Sequence, residues 1–63
     1  MELSKLISIA AVIAKTSKSR SGIYAAIKDG TFPKPVTIGA RRVAFIESEV
    51  DAWIALKVAQ SRS

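Results

Sequence analysis

The sequence predicts a small α+β domain of three short helices and a two-stranded β-hairpin. Three observations predict it. Two amphipathic stretches, residues 9–16 and 20–29, stand close together, each behind a serine. The run GTFPKPVTIGARRVAFIESEVDAWI at residues 30–54 reads as a helix stop, a tight hairpin and a new helix. Finally, the positive charge is gathered in the first two thirds of the chain.

Leu3, Leu6 and Ile7 come before the first helix and are expected to lie extended over part of the core. Ser8 is placed to cap that helix, because its hydroxyl can accept from an early backbone N–H that lacks a helical partner. Ile9, Val12, Ile13 and Thr16 then share one face at helical spacing. About two turns long, this helix would not hold its shape alone in water. Thr16, Ser17 and Lys18 break the pattern, and Ser19 is the next cap. On the second helix Ser19, Ile23, Ala26 and Ile27 point inward. Ser21, Tyr24, Ala25 and Lys28 point outward, with Arg20 on the flank. Gly30 stands where a helix end needs positive φ.

Pro33 and Pro35 cannot continue a helix. Val36, Thr37 and Ile38 face Val43, Ala44 and Phe45 across the four-residue loop Gly39-Ala40-Arg41-Arg42. Pairing Ile38 with Val43 and Val36 with Phe45 would put four apolar side chains on one face and leave both arginines at the tip. Such a ribbon needs the helices to pack against. Ser48 and Asp51 resemble a capping box for the third helix, whose first turn is acidic as its dipole prefers. Val50, Trp53, Ile54 and Val58 would face inward, Lys57 would suit the negative pole, and residues 60–63 would fray.

A chain of 63 residues is read as one domain, 1–63, with an ordered core over roughly residues 5–59. It buries only about 60% of its unfolded surface. There is no cysteine and no histidine, so no disulfide or familiar zinc pattern can staple it. Aliphatic side chains with Phe32, Phe45 and Trp53 must supply the core, and modest stability is expected. The longest apolar run, residues 9–14, falls far short of a membrane span. With no signal-peptide pattern, the expected location is the cytoplasm, on the nucleoid.

Ten basic residues face five acidic ones, and eight of the ten lie within residues 5–42 beside a single acid, Asp29. This asymmetry points to a polyanionic partner. A short helix with a polar, basic outer face, followed by a hairpin tipped by Arg41 and Arg42, is the layout of a winged helix-turn-helix on double-stranded DNA. The candidate contacts are Lys18, Ser19, Arg20, Ser21, Tyr24, Lys28, Lys34, Arg41 and Arg42. Lys15, Lys18 and Arg20 form a further cluster around the inter-helix turn. The plain alternatives are a solvated helix face and a solubilising turn. Trp53, Phe45 and Phe32 are read as core. Tyr24 has no histidine or carboxylate cluster to activate it as a nucleophile, and the same lack argues against acid–base or metal catalysis. The expected protein is no enzyme, with no cofactor, metal or small-molecule substrate.

The succession Ser19-Arg20-Ser21, Ile23-Tyr24, Gly30-x-Phe32-Pro33-Lys34-Pro35-Val36, Ile38-Gly39-x-Arg41 and Glu47-Ser48-Glu49-Val50-x-Ala52-Trp53-Ile54 resembles the AlpA family of prophage regulators. That family sits within the MerR-like winged helix-turn-helix group, which includes phage excisionases. The resemblance covers residues 5–58. It implies a transcription regulator with a recognition helix over residues 19–28 and a wing around residues 39–42. It leaves open an excisionase that bends attachment-site DNA, with an integrase or further copies of the chain as partners. A protein-binding inhibitor of a regulator is the rival of another class, for which Leu56 and the Ile7 region are the candidate surfaces. The chain departs from the family at the inter-helix turn, where Ser17 and Lys18 replace the usual Gly and Leu. It departs again at Gly22 and Ala25, where Thr and Arg are frequent.

Overall fold

Six elements follow the chain in the computed structural model, which describes residues 5–62. They are β1 (Leu6–Ile7), α1 (Ile9–Thr16), α2 (Arg20–Asp29), β2 (Val36–Gly39), β3 (Arg42–Ile46) and α3 (Glu47–Ser61). Leu3, expected over the core, lies outside the described residues. Three helices and a small antiparallel sheet give the α+β winged-helix architecture. No helix among the described residues is long and apolar enough to cross a membrane.

Both caps of the helix pair form as their serines dictate. Ser8 Oγ accepts from Ala11 N–H at 3.2 Å, and Ser19 Oγ accepts from Gly22 N–H at 3.0 Å. Gly30 closes α2 at φ 81°, and Thr31 N–H donates to Ala26 O at 2.9 Å, which completes a Schellman-type end. The turn between the helices is held by a side chain the sequence reading passed over. Thr16 Oγ1 donates to Val12 O at 2.8 Å and accepts from Lys18 N–H at 3.2 Å. Between them Ser17 sits at φ 60°, in the left-handed region that a non-glycine residue enters at a cost. Ser17→Gly should therefore stabilise the fold by about 0.5–1 kcal/mol, seen as a rise in Tm of several degrees. An unchanged or lower Tm would mean that the turn is not strained.

The sheet departs from the expected ribbon in two ways. First, it has three strands in the order β1-β3-β2, because Leu6 and Ile7 pair with Ile46 and Phe45. Second, the hairpin register differs: Val36 lies opposite Ala44, Thr37 opposite Val43 and Gly39 opposite Arg42. Ile38 is the extra residue where the register shifts. The expected Ile38–Val43 and Val36–Phe45 pairs do not form. The reason is tertiary: β3 is the central strand, and Phe45 turns its ring to the helices beside Ile7. Val36, opposite Ala44, then falls on the other face. The four apolar side chains consequently part company, with Phe45 fully buried and Val36, Ile38 and Val43 at 37%, 51% and 38% exposure.

The core is Ile7, Val12, Ile23, Phe32, Phe45 and Val50, with Ile9, Ile13, Ala26, Ile27, Trp53 and Ile54 packed around it. Phe32 sits between the other two large rings, edge-on to Phe45 at 6.1 Å and to Trp53 at 4.9 Å. Trp53 Nε1–H donates to Thr31 O at 2.7 Å and so ties α3 to the end of α2.

In α3 the expected capping box is not the start. The helix begins at Glu47 behind Ile46, which offers no side-chain cap. Instead Glu47 N–H donates to Lys5 O at 2.8 Å, so β1 satisfies that early donor and Ser48 lies inside the first turn. The helix also runs through Ser61, past the expected fraying point. Val58 is 42% exposed rather than inward, because α3 has by then outrun the core that Val50 and Ile54 reach. Lys57 lies over the Trp53 ring at 5.5 Å instead of serving the helix end.

Candidate nucleic-acid interface

Capping and periodicity fix which face α2 presents. With Ile23 fully buried and Ala26 and Ile27 half-buried against the core, Arg20, Ser21, Tyr24, Ala25 and Lys28 are exposed. Ser19 sits at the head of this helix with its oxygen engaged by the cap. A Cβ on Gly22 would lie 3.1 Å from that oxygen, so the glycine leaves the cap uncrowded. Lys18 is half-buried in the turn, consistent with a stem that lies along the surface while its ammonium reaches water. Lys34 is exposed in the segment between α2 and β2.

At the hairpin the two arginines separate. Arg41 occupies the turn with Ala40, whereas Arg42 opens β3 opposite Gly39. The expected four-residue loop is thus a shorter turn, and both side chains remain exposed.

Among the described residues only Lys15 forms ion pairs. Its Nζ lies 2.9 Å from Asp51 Oδ1 and 3.4 Å from Glu47 Oε2. The expected basic cluster of Lys15, Lys18 and Arg20 therefore loses Lys15 to the first turns of α3. Sequence gave no signal for this, because the partners are 36 residues apart for Asp51. The hydrogen bond to Asp51 is the main cause that raises the Lys15 pKa above its ordinary value, against a partial opposing effect of burial. A raised lysine pKa means the pair contributes fully below about pH 10.5, the ordinary lysine value, and is lost as pH climbs through the raised one. Asp51→Asn should bring the Lys15 titration back toward the ordinary lysine value, as followed by NMR of its ε-methylene. No movement would show that Asp51 is not the cause.

Lys18, Arg20, Lys28, Lys34, Arg41 and Arg42 have no carboxylate partner among the described residues. An open groove of about 430 Å³ runs between the end of α1 and the C-terminal half of α3. None of the candidate residues lines it. No group of three or more acidic residues that could hold a metal ion gathers among the described residues.

A sequence model of the family described as "Prophage CP4-57 regulatory protein (AlpA)" matches residues 5–58. The chain belongs to the AlpA family. It is 36% identical over 56 residues to the DNA-binding transcriptional activator AlpA of Escherichia coli (strain K12), a match covering 79% of this chain and 80% of that protein. It is also 49% identical over 41 residues to the uncharacterized protein ORF88 of Enterobacteria phage P4. That second match covers 65% of this chain and 47% of the phage protein, so the chain spans about half the phage protein's length. AlpA membership and the winged-helix architecture agree with each other: the matched span runs from just before β1 to the exposed half of α3.

Proposed function

We propose that this AlpA-family chain is a prophage transcription regulator that binds double-stranded DNA through its basic side. The reading places α2 in the major groove, with Arg20, Ser21, Tyr24 and Lys28 toward phosphates and base edges. Lys18, Ser19 and Lys34 contact the backbone, and the hairpin carries Arg41 and Arg42 to the adjacent minor groove or its phosphates. Phosphate neutralisation supplies most of the affinity.

One observation carries the reading. Six of the nine cations that lack a carboxylate partner among the described residues lie on the inter-helix turn, α2, the segment after it and the hairpin, while Lys5, Lys57 and Arg62 lie outside these elements. The acids of α3 are engaged or exposed elsewhere, with Glu47 and Asp51 tied to Lys15. Unpaired cations on the elements that enter and flank a groove match a polyanion. The name of the Escherichia coli relative points the same way.

The test is a footprint on the DNA flanking the chain's own gene and any nearby attachment site. Random duplex is the competitor, at several salt concentrations. A protected site beside a promoter that survives competition is the expected result. Several phased sites at an attachment site would replace the regulator by an excisionase. Binding that is weak everywhere and vanishes with salt would make the basic side generic and overturn the proposal.

A further inference from the structure

We propose that Ile38 is an apolar wedge on the hairpin, which enters the minor groove beside Arg41 and Arg42 and opens a base step there. The inference rests on the DNA reading above and adds to it a residue that carries no charge.

The hairpin is where the chain breaks the usual rule for an exposed ribbon. All four residues of β2 are exposed, and Val36, Ile38 and Val43 stand outside the core cluster. Val36 and Val43 have cross-strand partners, Ala44 and Thr37. Ile38 has none, because the register shift falls on it, and it is the most exposed of the three at 51%. A bulge of this kind bends its strand and re-aims a side chain. The bulge stands immediately before the turn that carries Arg41 and the strand start that carries Arg42. A turn that served only solubility would carry polar residues here.

The surface that suits a bulky apolar side chain flanked by two unpaired guanidinium groups is both anionic and apolar. The minor groove meets this description: phosphates line its rims, deoxyribose forms its walls, and its potential attracts arginine where it narrows. Isoleucine is among the side chains that proteins insert between base steps from that side, unstacking them and kinking the duplex. Flexible pyrimidine–purine steps would accept it most easily.

The experiment uses the full chain and the duplex that the wild-type protein itself selects from a random-sequence pool. That duplex is labelled with a dye at each end. Energy transfer reports bending, titration reports affinity, and both are repeated across a salt series. Wild-type protein should bend the duplex. Ile38→Ala should lose most of the bend and roughly tenfold in affinity, the order expected for one buried aliphatic side chain. Its salt slope should be unchanged because no charge is removed. Ile38→Leu should restore the bend. A wild-type complex that leaves the duplex straight overturns the wedge, as does an Ile38→Ala complex bent like wild type. A fall in salt slope, or a loss of fold by circular dichroism, makes Ile38 a support for the arginines or the sheet and overturns it too. If the wild-type chain selects no duplex at all, the DNA reading itself fails and the wedge falls with it. The two failures are therefore distinct.

Discussion

Phe45→Ala should leave the chain largely unfolded at room temperature. Phe45 is fully buried on the central strand, opposite Ile7 and edge-on to Phe32. Phe32 in turn packs on Trp53, which is hydrogen-bonded to the end of α2. Phe45 also shares one core cluster with Ile7 of β1, Val12 of α1, Ile23 of α2 and Val50 of α3. Removing it costs about 3–5 kcal/mol through lost burial and the cavity left behind. A domain of this size holds only about 3–9 kcal/mol in total, and no disulfide is present to limit the loss. The expected observation is loss of the cooperative urea transition followed by far-UV circular dichroism. Leu56→Ala is the control: at 54% exposure it should change stability by no more than about 0.5 kcal/mol. A Phe45→Ala protein with a near-normal urea midpoint would mean that the core closes without the ring.

Replacing Arg41 and Arg42 together by alanine should weaken binding to every duplex by about 10- to 100-fold and reduce the salt slope by roughly 1.8. Each contact with a phosphate contributes about 0.9 to that slope and a charge-assisted hydrogen bond to the affinity. Folding should be untouched, since both side chains are exposed and unpaired among the described residues. The decisive quantity is the slope, because a general loss of affinity could follow from a disturbed hairpin while a lost counterion term could not. An unchanged slope would remove the hairpin from the interface. Lys28→Ala or Ser21→Ala, by contrast, should alter which sites are protected more than how salt acts.

The candidate surface was legible to different depths. The outer face of α2 could be read directly, because helical spacing places Ile23 inward and so sends Tyr24 and Lys28 outward, as the structure has them. Arg41 and Arg42 could be read as exposed, since turn chemistry alone puts them there. Lys15 could not be read at all. Whether a lysine is available to an anion depends on carboxylates brought beside it by packing, and Asp51 and Glu47 arrive from a helix 30 or more positions away. Ile38 was misplaced for a related reason. Alternation says which residues of a strand share a face, but only the partner strand decides where a residue is left over.

By itself, then, the sequence determined the local features: three helices, the first two with serine caps, the stop at Gly30, a hairpin after the prolines and a basic first two thirds. These depend on neighbours within a few residues, through backbone conformation, hydrogen bonds to nearby amides and side-chain periodicity. The tertiary structure alone decided that β1 joins the sheet, that β3 is central, that the register slips at Ile38 and that α3 starts at Glu47 against Lys5. It also decided which cation is neutralised and that Val58 stays in water. Each of those outcomes is set by contact between distant segments, where burying Phe45 outweighs the symmetry that an isolated hairpin would prefer.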